Sequence, residues 1–357
     1  MPTATPFVPA PPKPKAPVNA PSITLPSNGH DEYEQMTLRP MSLVQKVRGL
    51  LKYGWVRLRG GPMLVNMEVT HFCNAQCDFC DFWKTSRSGK LSDYDYIDAL
   101  RKLNPLCVTL TGGEPTIIKN LPEVVQRIKD AFGFIYVGMV THGSLMTLEK
   151  AEALWEAGID QIAISLNYLG PEHDAERGIE GLFDHLSELI PQMTARGINV
   201  VLNTVIMEDN LNHIVPLAYQ ARQWGAKISF SSYSDLKNGN RAHLIHNIDQ
   251  MDKLMNELIA LKSKLGNIVS SVHYLMRVSS YFRGTMNETC QAAGKWLVQL
   301  TPDGDVKPCP ELEVSSHYAD FKKQSKPIVC NRCFYSCRGE AEASLTLERA
   351  VELLGKV

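Results

Sequence analysis

The sequence has no long hydrophobic segment and no marked excess of either charge. None of its apolar runs reaches the roughly 18 residues that a membrane-spanning helix needs, so we expect no transmembrane helix. Its 357 residues carry 37 Lys and Arg against 38 Asp and Glu. Because this balance provides no general attraction to polyanions, we expect no nucleic-acid partner.

The N-terminus lacks the apolar core of a secretory signal. Residues 1–40 are rich in proline, which predicts a disordered or polyproline-II tail. The absence of a signal predicts a cytoplasmic protein, with peripheral attachment to a membrane as an alternative. In that reducing compartment, clustered cysteines hold metal more often than they form disulfides.

Residues 41–60 have the pattern of a basic amphipathic helix. Val44, Val47, Leu51, Trp55 and Leu58 fall on one stripe, and Lys and Arg occupy other positions. Such a helix can pack across the domain that follows, or it can lie on an anionic membrane surface. The pattern leaves both interpretations open.

Short β-rich segments alternate with helical patterns from about residue 63 to residue 231. This alternation predicts an α/β fold with parallel strands, either a partial (βα)6 TIM-like barrel or an open doubly wound sheet. Ligands of both architectures bind at the carboxyl ends of the strands. We expect helices to begin at Ser92 and Asn120. The strand candidates are MLVNMEVT, CVTLT, FIYVGMVT, QIAISLN, NVVLNTVI and KISFSS.

The first cysteine group has no fourth member nearby. Cys73, Cys77 and Cys80 follow the first strand candidate with the spacing Cys-x3-Cys-x2-Cys. A structural zinc ion takes four protein ligands, so three cysteines are one too few. A [4Fe-4S] cluster on three thiolates leaves one iron free to bind a substrate or cofactor. The spacing therefore indicates a reactive site at the strand ends.

This cysteine loop resembles the signature of the radical S-adenosylmethionine (SAM) superfamily. The resemblance implies that SAM binds the open iron through its amino and carboxylate groups. An electron from the cluster then cleaves SAM to a 5′-deoxyadenosyl radical, which abstracts hydrogen from a substrate. TGGEPT at the second strand end resembles the glycine-rich motif of the family. It would place Gly112, Gly113, Glu114 and Pro115 at the methionyl ammonium.

Further SAM contacts are implied by the same resemblance. VTHG resembles the Thr-Asn-Gly of the family, and ISLNYLGPEHDAERGI resembles its Ser-Leu-Asp-Gly and His-Asp-x-x-Arg-Gly patterns. His173 and Asp174 in the second pattern can also be read as residues that begin a helix. The implied contacts are Phe79 at adenine, Thr141 at a strand end, Ser165 and Asn167 at the ribose or carboxylate, Arg177 at the methionyl carboxylate, and Asn203 at another strand end.

A second cysteine group lies near the C-terminus, in CQAAGKWLVQLTPDGDVKPCPE and CNRCFYSC. The first of these predicts two short strands around an Asp-Gly turn. The group resembles the SPASM and twitch auxiliary-cluster domains of the superfamily. The resemblance implies one auxiliary [4Fe-4S] cluster on Cys290, Cys309, Cys330 and Cys333, with Cys337 as an alternative or spare. A structural zinc is the alternative here, and Cys107 is interpreted as a core residue.

The resulting prediction is a radical SAM enzyme that activates a C–H bond. It would comprise a barrel at residues 61–247, a helical connector at 248–288 and an auxiliary iron-sulfur domain at 289–357, with a last helix near 344–354. A low-potential donor such as flavodoxin or ferredoxin is implied. Peptide maturation is the favoured reaction, and lipid, isoprenoid or small-molecule modification is the alternative. A non-enzymatic iron-sulfur or zinc scaffold is the competing class.

Overall fold

The computed structural model describes residues 42–85, 89–286, 288–322 and 328–343. The predicted tail at residues 1–40 and the predicted last helix near 344–354 lie outside these ranges. Within them, no helix combines the length and the hydrophobicity needed to cross a bilayer.

Six parallel strands form most of one sheet, which confirms the α/β prediction. They lie side by side in sequence order, and each of the predicted β-rich segments overlaps one of them. The strands are β1 Leu64–Thr70, β2 Cys107–Gly112, β3 Tyr136–Thr141, β4 Gln161–Ser165, β5 Val200–Ile206 and β6 Lys227–Ser232. In the described ranges the sheet is open, with β6 at one edge.

Helices cover one side of this sheet. Val65, Met67 and Val69 of β1 are fully buried and share an apolar core with Leu100 and Val125 of two helices. The α-helices are α1 Leu43–Arg59, α2 Tyr96–Leu103, α3 Leu121–Ala131, α4 Leu148–Glu156, α5 Pro171–Arg177, α6 Leu182–Ala195, α7 Ile214–Gln223, α8 Ile248–Leu265, α9 Val272–Phe282 and α10 Ser336–Glu342. Because strand side chains alternate, the polar residues of β1 point to the opposite side of the sheet.

The predicted N-cap of α2 was wrong by three residues. The Asp95 side chain, not Ser92, accepts hydrogen bonds from the N–H groups of Ile97 and Asp98, at 3.0 and 3.1 Å. A carboxylate is the stronger cap because it also interacts favourably with the positive end of the helix. Asn120 does stand at the N-cap of α3, although its side chain makes no capping hydrogen bond.

The C-terminal segment joins the same sheet. Strand β7 (Leu297–Leu300) pairs with β1 in parallel, and β8 (Asp305–Lys307) and β9 (Ser316–His317) continue the sheet in antiparallel fashion. The predicted strands around the Asp303–Gly304 turn are therefore confirmed. The pairing sets the second cysteine group beside the first strand, although more than 200 residues separate them in sequence.

Candidate active site

The first cysteine group occupies the loop that follows β1. Cys77 is buried, and Cys73 and Cys80 are half-buried. Burial raises the pKa of Cys73 to about 11, and the negative charges of Glu114, Cys77 and Cys80 act in the same direction. The thiol of Cys73 is therefore protonated at neutral pH, and binding to iron has to displace this proton. Three thiols on one loop suit a cluster with one open position.

Two glycines allow the turn after β2 to lie directly on this loop. Gly112 has a φ of +124°, and a methyl group on Gly113 would overlap the carbonyl of Phe72. Backbone hydrogen bonds close the contact: the N–H of Gly113 donates to Thr70 at 2.8 Å, and that of Glu114 donates to Phe72 at 2.7 Å. The glycines therefore set the position of the cysteine loop.

Glu114 has protein partners on both carboxylate oxygens. One oxygen accepts from the hydroxyls of Thr116 and Thr141 at 2.6 and 2.5 Å, and the other accepts from the N–H of His142 at 3.0 Å. The side chain is only 1% exposed. The predicted contact of Glu114 with an ammonium group stays a prediction. Glu114 joins the ends of β2 and β3, Thr141 is part of that link, and Pro115 opens the short 3-10 turn that follows.

His142 extends this link to the cysteine loop. Its Nε2 lies 3.1 Å from Oδ1 of Asn74, and its Nδ1 accepts from the N–H of Ser144 at 3.2 Å. Burial lowers the pKa of His142, so the imidazole is neutral and donates from Nε2. Sequence reasoning missed Asn74, whose position between the first two cysteines was the available signal.

Arg177 contacts the cysteine loop directly. Its guanidinium donates from Nη1 to Sγ of Cys77 at 3.4 Å and lies 5.3 Å from the ring centroid of Phe79. Its Nε is 3.2 Å from the carboxylate of Glu176. Burial raises the pKa of Cys77, and the Arg177 cation opposes this rise. Arg177 therefore supplies positive charge at a thiol, and whether it also contacts SAM stays a prediction.

Asn167 links the end of β4 to β5, and its predicted contact with the ribose or the carboxylate stays a prediction. It is fully buried, its amide group donates to Glu176 at 2.8 Å, and its carbonyl oxygen accepts from the N–H of Val205 at 2.9 Å. Asn167 and Glu176 together hold Arg177 in place. Glu176 was not predicted, and its place beside Arg177 in the quoted motif was the only signal.

Asp174 supports the interpretation of this region as the start of a helix. Its carboxylate accepts from the N–H groups of Gly181 and Phe183 at the beginning of α6, both at 2.7 Å. Ser165 and Asn203 are half-buried partners on adjacent strands, and Asn203 accepts from the hydroxyl of Ser229 at 3.2 Å. Both side chains are only half-buried. Their contacts with SAM stay predictions.

The second cysteine group converges on one cavity. Cys290, Cys309, Cys330, Cys333 and Cys337 all line it. Arg338 is buried and donates to the carbonyl of Cys333 at 2.6 Å, which holds the last cysteine loop. No three His, Cys, Asp or Glu side chains among the described residues are placed to hold a single metal ion. A four-iron cube spaces its ligands more widely than one zinc ion does, because each thiolate binds a different iron.

A cavity of about 530 Å³ lies between the two cysteine groups. Asp81 and Phe82, which follow Cys80, line one side, and Pro310 and Glu311, which follow Cys309, line another. The rest of the lining is largely polar and includes Asn66, Glu68, His71, Thr111, Lys237, Gln299 and Thr301.

One buried cluster in this cavity was missed by sequence reasoning. Glu68 accepts from the amide group of Gln299 at 2.6 Å and lies 3.3 Å from Nε2 of His71. A glutamate inside the apolar strand MEVT was the available signal. Gln299 could not be connected to Glu68 from sequence because the pairing of β1 with β7 was unknown.

The loop after β6 is fastened to the cysteine loop through His243. Its Nδ1 lies 3.1 Å from Asp209, and its Nε2 lies 3.1 Å from Asp78, the residue after Cys77. Burial disfavours the imidazolium, but hydrogen bonds to both carboxylates outweigh it and raise the pKa of His243 to about 10. At neutral pH a cation therefore bridges two anions.

We expect His243→Gln to destabilise the protein at low pH and to have less effect at high pH. Since the pKa is raised from an unfolded value of about 6.5 to about 10, the stabilisation is complete below pH 6.5 and is lost as pH rises through 10. The expected loss below pH 6.5 is about 1–2 kcal/mol, because both carboxylates are partly exposed. Urea unfolding across this pH range measures it. His246→Gln, at an exposed position, is the control, and a pH-independent difference for His243→Gln contradicts the bridge.

Comparison with known families identifies the class of enzyme. The family model of the radical SAM superfamily matches residues 67–218, which contain the cysteine loop, the Gly-Gly turn and Arg177. The chain carries a radical SAM domain at these residues. It is therefore an enzyme of the radical SAM class, whose cofactors are a [4Fe-4S] cluster and SAM, and the donor set of the cysteine loop fits the cluster.

Similar proteins include PqqA peptide cyclases. That of Methylorubrum populi is 26% identical over 263 residues, which cover 71% of this chain and 67% of the relative. That of Gluconobacter oxydans is 28% identical over 265 residues, which cover 71% of each protein.

Solved radical SAM enzymes share the fold. Streptococcus suis SuiB bound to S-adenosylmethionine aligns with 77% of the present chain and 68% of its own, at 16% identity and a TM-score of 0.60. SuiB bound to its precursor peptide SuiA aligns with 94% of this chain and 79% of its own, at 16% identity and a TM-score of 0.57. The enzyme anSMEcpe with bound AdoMet and a peptide aligns with 73% of this chain and 78% of its own, at 16% identity and a TM-score of 0.53. These likenesses confirm the predicted fold class.

Proposed function

We propose that this radical SAM enzyme modifies a C–H bond of a peptide held between two iron-sulfur sites. The observation that carries the proposal is the cavity between the cysteine groups, which has the volume of a small-molecule or side-chain site. Its polar lining suits peptide groups, because Oε1 of Gln299 and Nδ1 of His71 are buried without a hydrogen-bond partner and would stay unsatisfied beside an isoprenoid or lipid tail. The peptide cyclase relatives and the SuiA-bound SuiB fold support the same substrate class.

In this proposal Cys73, Cys77 and Cys80 hold the cluster that binds SAM. When bound, this cluster supplies the electron for reductive cleavage of SAM and so the radical that activates the substrate. Arg177 places a cation beside Cys77, and the two glycines set the distance between the cysteine loop and the end of β2. Ser165 and Asn203 are proposed as SAM contacts, with Phe79 beside adenine.

The C-terminal cysteines are proposed to hold one auxiliary [4Fe-4S] cluster in a SPASM- or twitch-like segment at residues 289–357. Cys290, Cys309, Cys330 and Cys333 are the proposed ligands. Because Cys337 lines the same cavity, it is the alternative fourth ligand. An auxiliary cluster there would provide a site for the electron that net oxidation of a peptide releases.

Two further parts of the proposal concern the cellular context. Reductive cleavage needs a low-potential one-electron donor, for which we propose a flavodoxin or ferredoxin. All nine cysteines lie in the described ranges and none forms a disulfide there, so we propose the reducing cytoplasm as the location. A peripheral membrane contact is also proposed, and its basis is the exposed face of α1.

The first test is anaerobic purification and reconstitution, with iron and zinc counted and reductant-dependent 5′-deoxyadenosine measured. About eight irons and SAM cleavage are expected. Incubation of the reduced enzyme and SAM with a library of synthetic peptides, followed by mass spectrometry, then tests the substrate class. Zinc without SAM cleavage contradicts the enzyme, whereas cleavage with modification of lipid extracts and of no peptide contradicts only the substrate.

We expect the double variant Cys309→Ala, Cys333→Ala to lose about four of eight irons and to retain 5′-deoxyadenosine formation. Formation of the modified peptide is expected to stop, because the auxiliary site is lost. Cys107→Ala is the matched control, since Cys107 lies in β2 away from both groups, and it is expected to keep all iron. An unchanged iron count in the double variant contradicts the auxiliary cluster.

A further inference from the structure

Helix α1 exposes a wide and uninterrupted apolar face. At 100° per residue, its exposed apolar residues and Gly54 occupy a continuous arc of about 140°, with no charged residue inside it. Leu58 and Leu43 are 89% and 77% exposed, and Leu51 is 70% exposed. The full set is Leu43, Val44, Val47, Leu50, Leu51, Trp55 and Leu58.

The opposite face of α1 holds the helix on the enzyme. Tyr53 and Val56 are buried, and Gly49 packs so closely on the ring of Phe134 that a methyl group would overlap it. The Lys52 ammonium donates to the carbonyl of Phe134 at 2.9 Å. These contacts fix the rotation of the helix, so the apolar arc points away from the domain.

Positive charge borders the arc on both sides. Lys46 and Arg57 flank one edge, and Arg48, Lys52 and Arg59 flank the other. The helix contains no Asp or Glu. The guanidinium of Arg59 lies 5.3 Å from the ring centroid of Trp55, at the edge of the arc. Trp at such an edge and cations on both flanks are the arrangement of helices that lie in the plane of a bilayer interface.

We propose that α1 docks this enzyme on an anionic lipid bilayer, with the helix axis parallel to the surface. The apolar arc enters the boundary between headgroups and acyl chains, and Lys46, Arg48 and Arg59 contact anionic headgroups. Lys52 and Arg57 bond to the enzyme itself. A second copy of the chain fits less well, because two such faces would bring ten cations together without an anion from either helix. The inference does not depend on the peptide substrate, since it uses no residue of the candidate active site.

Co-sedimentation of the full-length protein with vesicles tests this proposal. We expect binding to phosphatidylcholine vesicles that contain phosphatidylserine, and at least about tenfold weaker binding to phosphatidylcholine alone. Leu51→Glu with Leu58→Glu is expected to weaken binding about tenfold or more, because both side chains enter the interface. Met276→Glu, at another exposed apolar residue that is 62% exposed, is the matched control and retains binding. SAM cleavage in detergent-free buffer is expected to be unchanged in both variants.

Several results would overturn the proposal. If Met276→Glu lost as much binding, vesicle binding would depend on general surface hydrophobicity and not on α1. A wild-type dimer that Leu51→Glu with Leu58→Glu converts to a monomer, without vesicle binding, would assign the face to a second copy. Vesicle binding only after deletion of residues 1–40 would assign it to the preceding segment of the chain. Absence of binding by every form would also reject it.

Discussion

Reconstituted protein with Cys73, Cys77 and Cys80 changed to Ala will form no detectable 5′-deoxyadenosine. It will retain about four of the eight irons expected for the wild type. The physical reason is that these three thiols are the proposed ligands of the SAM-binding cluster, and alanine provides no donor atom for iron. Anaerobic iron analysis and chromatography of the reductant-dependent products measure both effects.

The control for this prediction is again Cys107→Ala, which removes a cysteine outside both groups. It should retain full iron content and SAM cleavage. Persistent cleavage in the triple variant would mean that the SAM site lies elsewhere. Loss of all eight irons would mean that the two sites do not assemble independently.

Gly113→Ala will lower the rate of SAM cleavage by at least about 100-fold. A methyl group at Gly113 meets the backbone carbonyl of Phe72, which cannot rotate away as a flexible side chain can. The cysteine loop or the end of β2 therefore has to shift, and a displacement of about 1 Å is enough for an effect of this size. Single-turnover 5′-deoxyadenosine formation measures it.

Gly133→Ala is the matched control, because a methyl group there meets no atom within 4 Å. It should cleave SAM at the wild-type rate. Circular dichroism and iron content distinguish a shifted loop from an unfolded chain. A Gly113→Ala enzyme that is folded, fully loaded with iron and as fast as wild type would contradict the close packing of the two loops.

Much of the site could be predicted because its signals are local. The β-rich segments, the cysteine spacing and the Gly-Gly turn each occupy fewer than ten consecutive residues. In a parallel sheet the carboxyl ends of all strands lie on the same side of the fold. Motifs at several strand ends can therefore be assigned to one site. The partners of Glu114 and Asn167 could not be predicted in this way. Each depends on the separation of two neighbouring strand ends, which no local pattern encodes.

The sequence by itself predicted the parallel α/β architecture, which follows from residue order, and its cysteine loop predicted the enzyme class through its resemblance to the radical SAM superfamily. Tertiary structure alone decided that Glu114 joins two strands, that Arg177 donates to Cys77 and that all five C-terminal cysteines line one cavity. It also decided which face of α1 is exposed, because either face of an amphipathic helix can pack on a domain. The reason is common to these cases: contacts between residues distant in sequence depend on how the chain packs, and packing is a property of the whole fold.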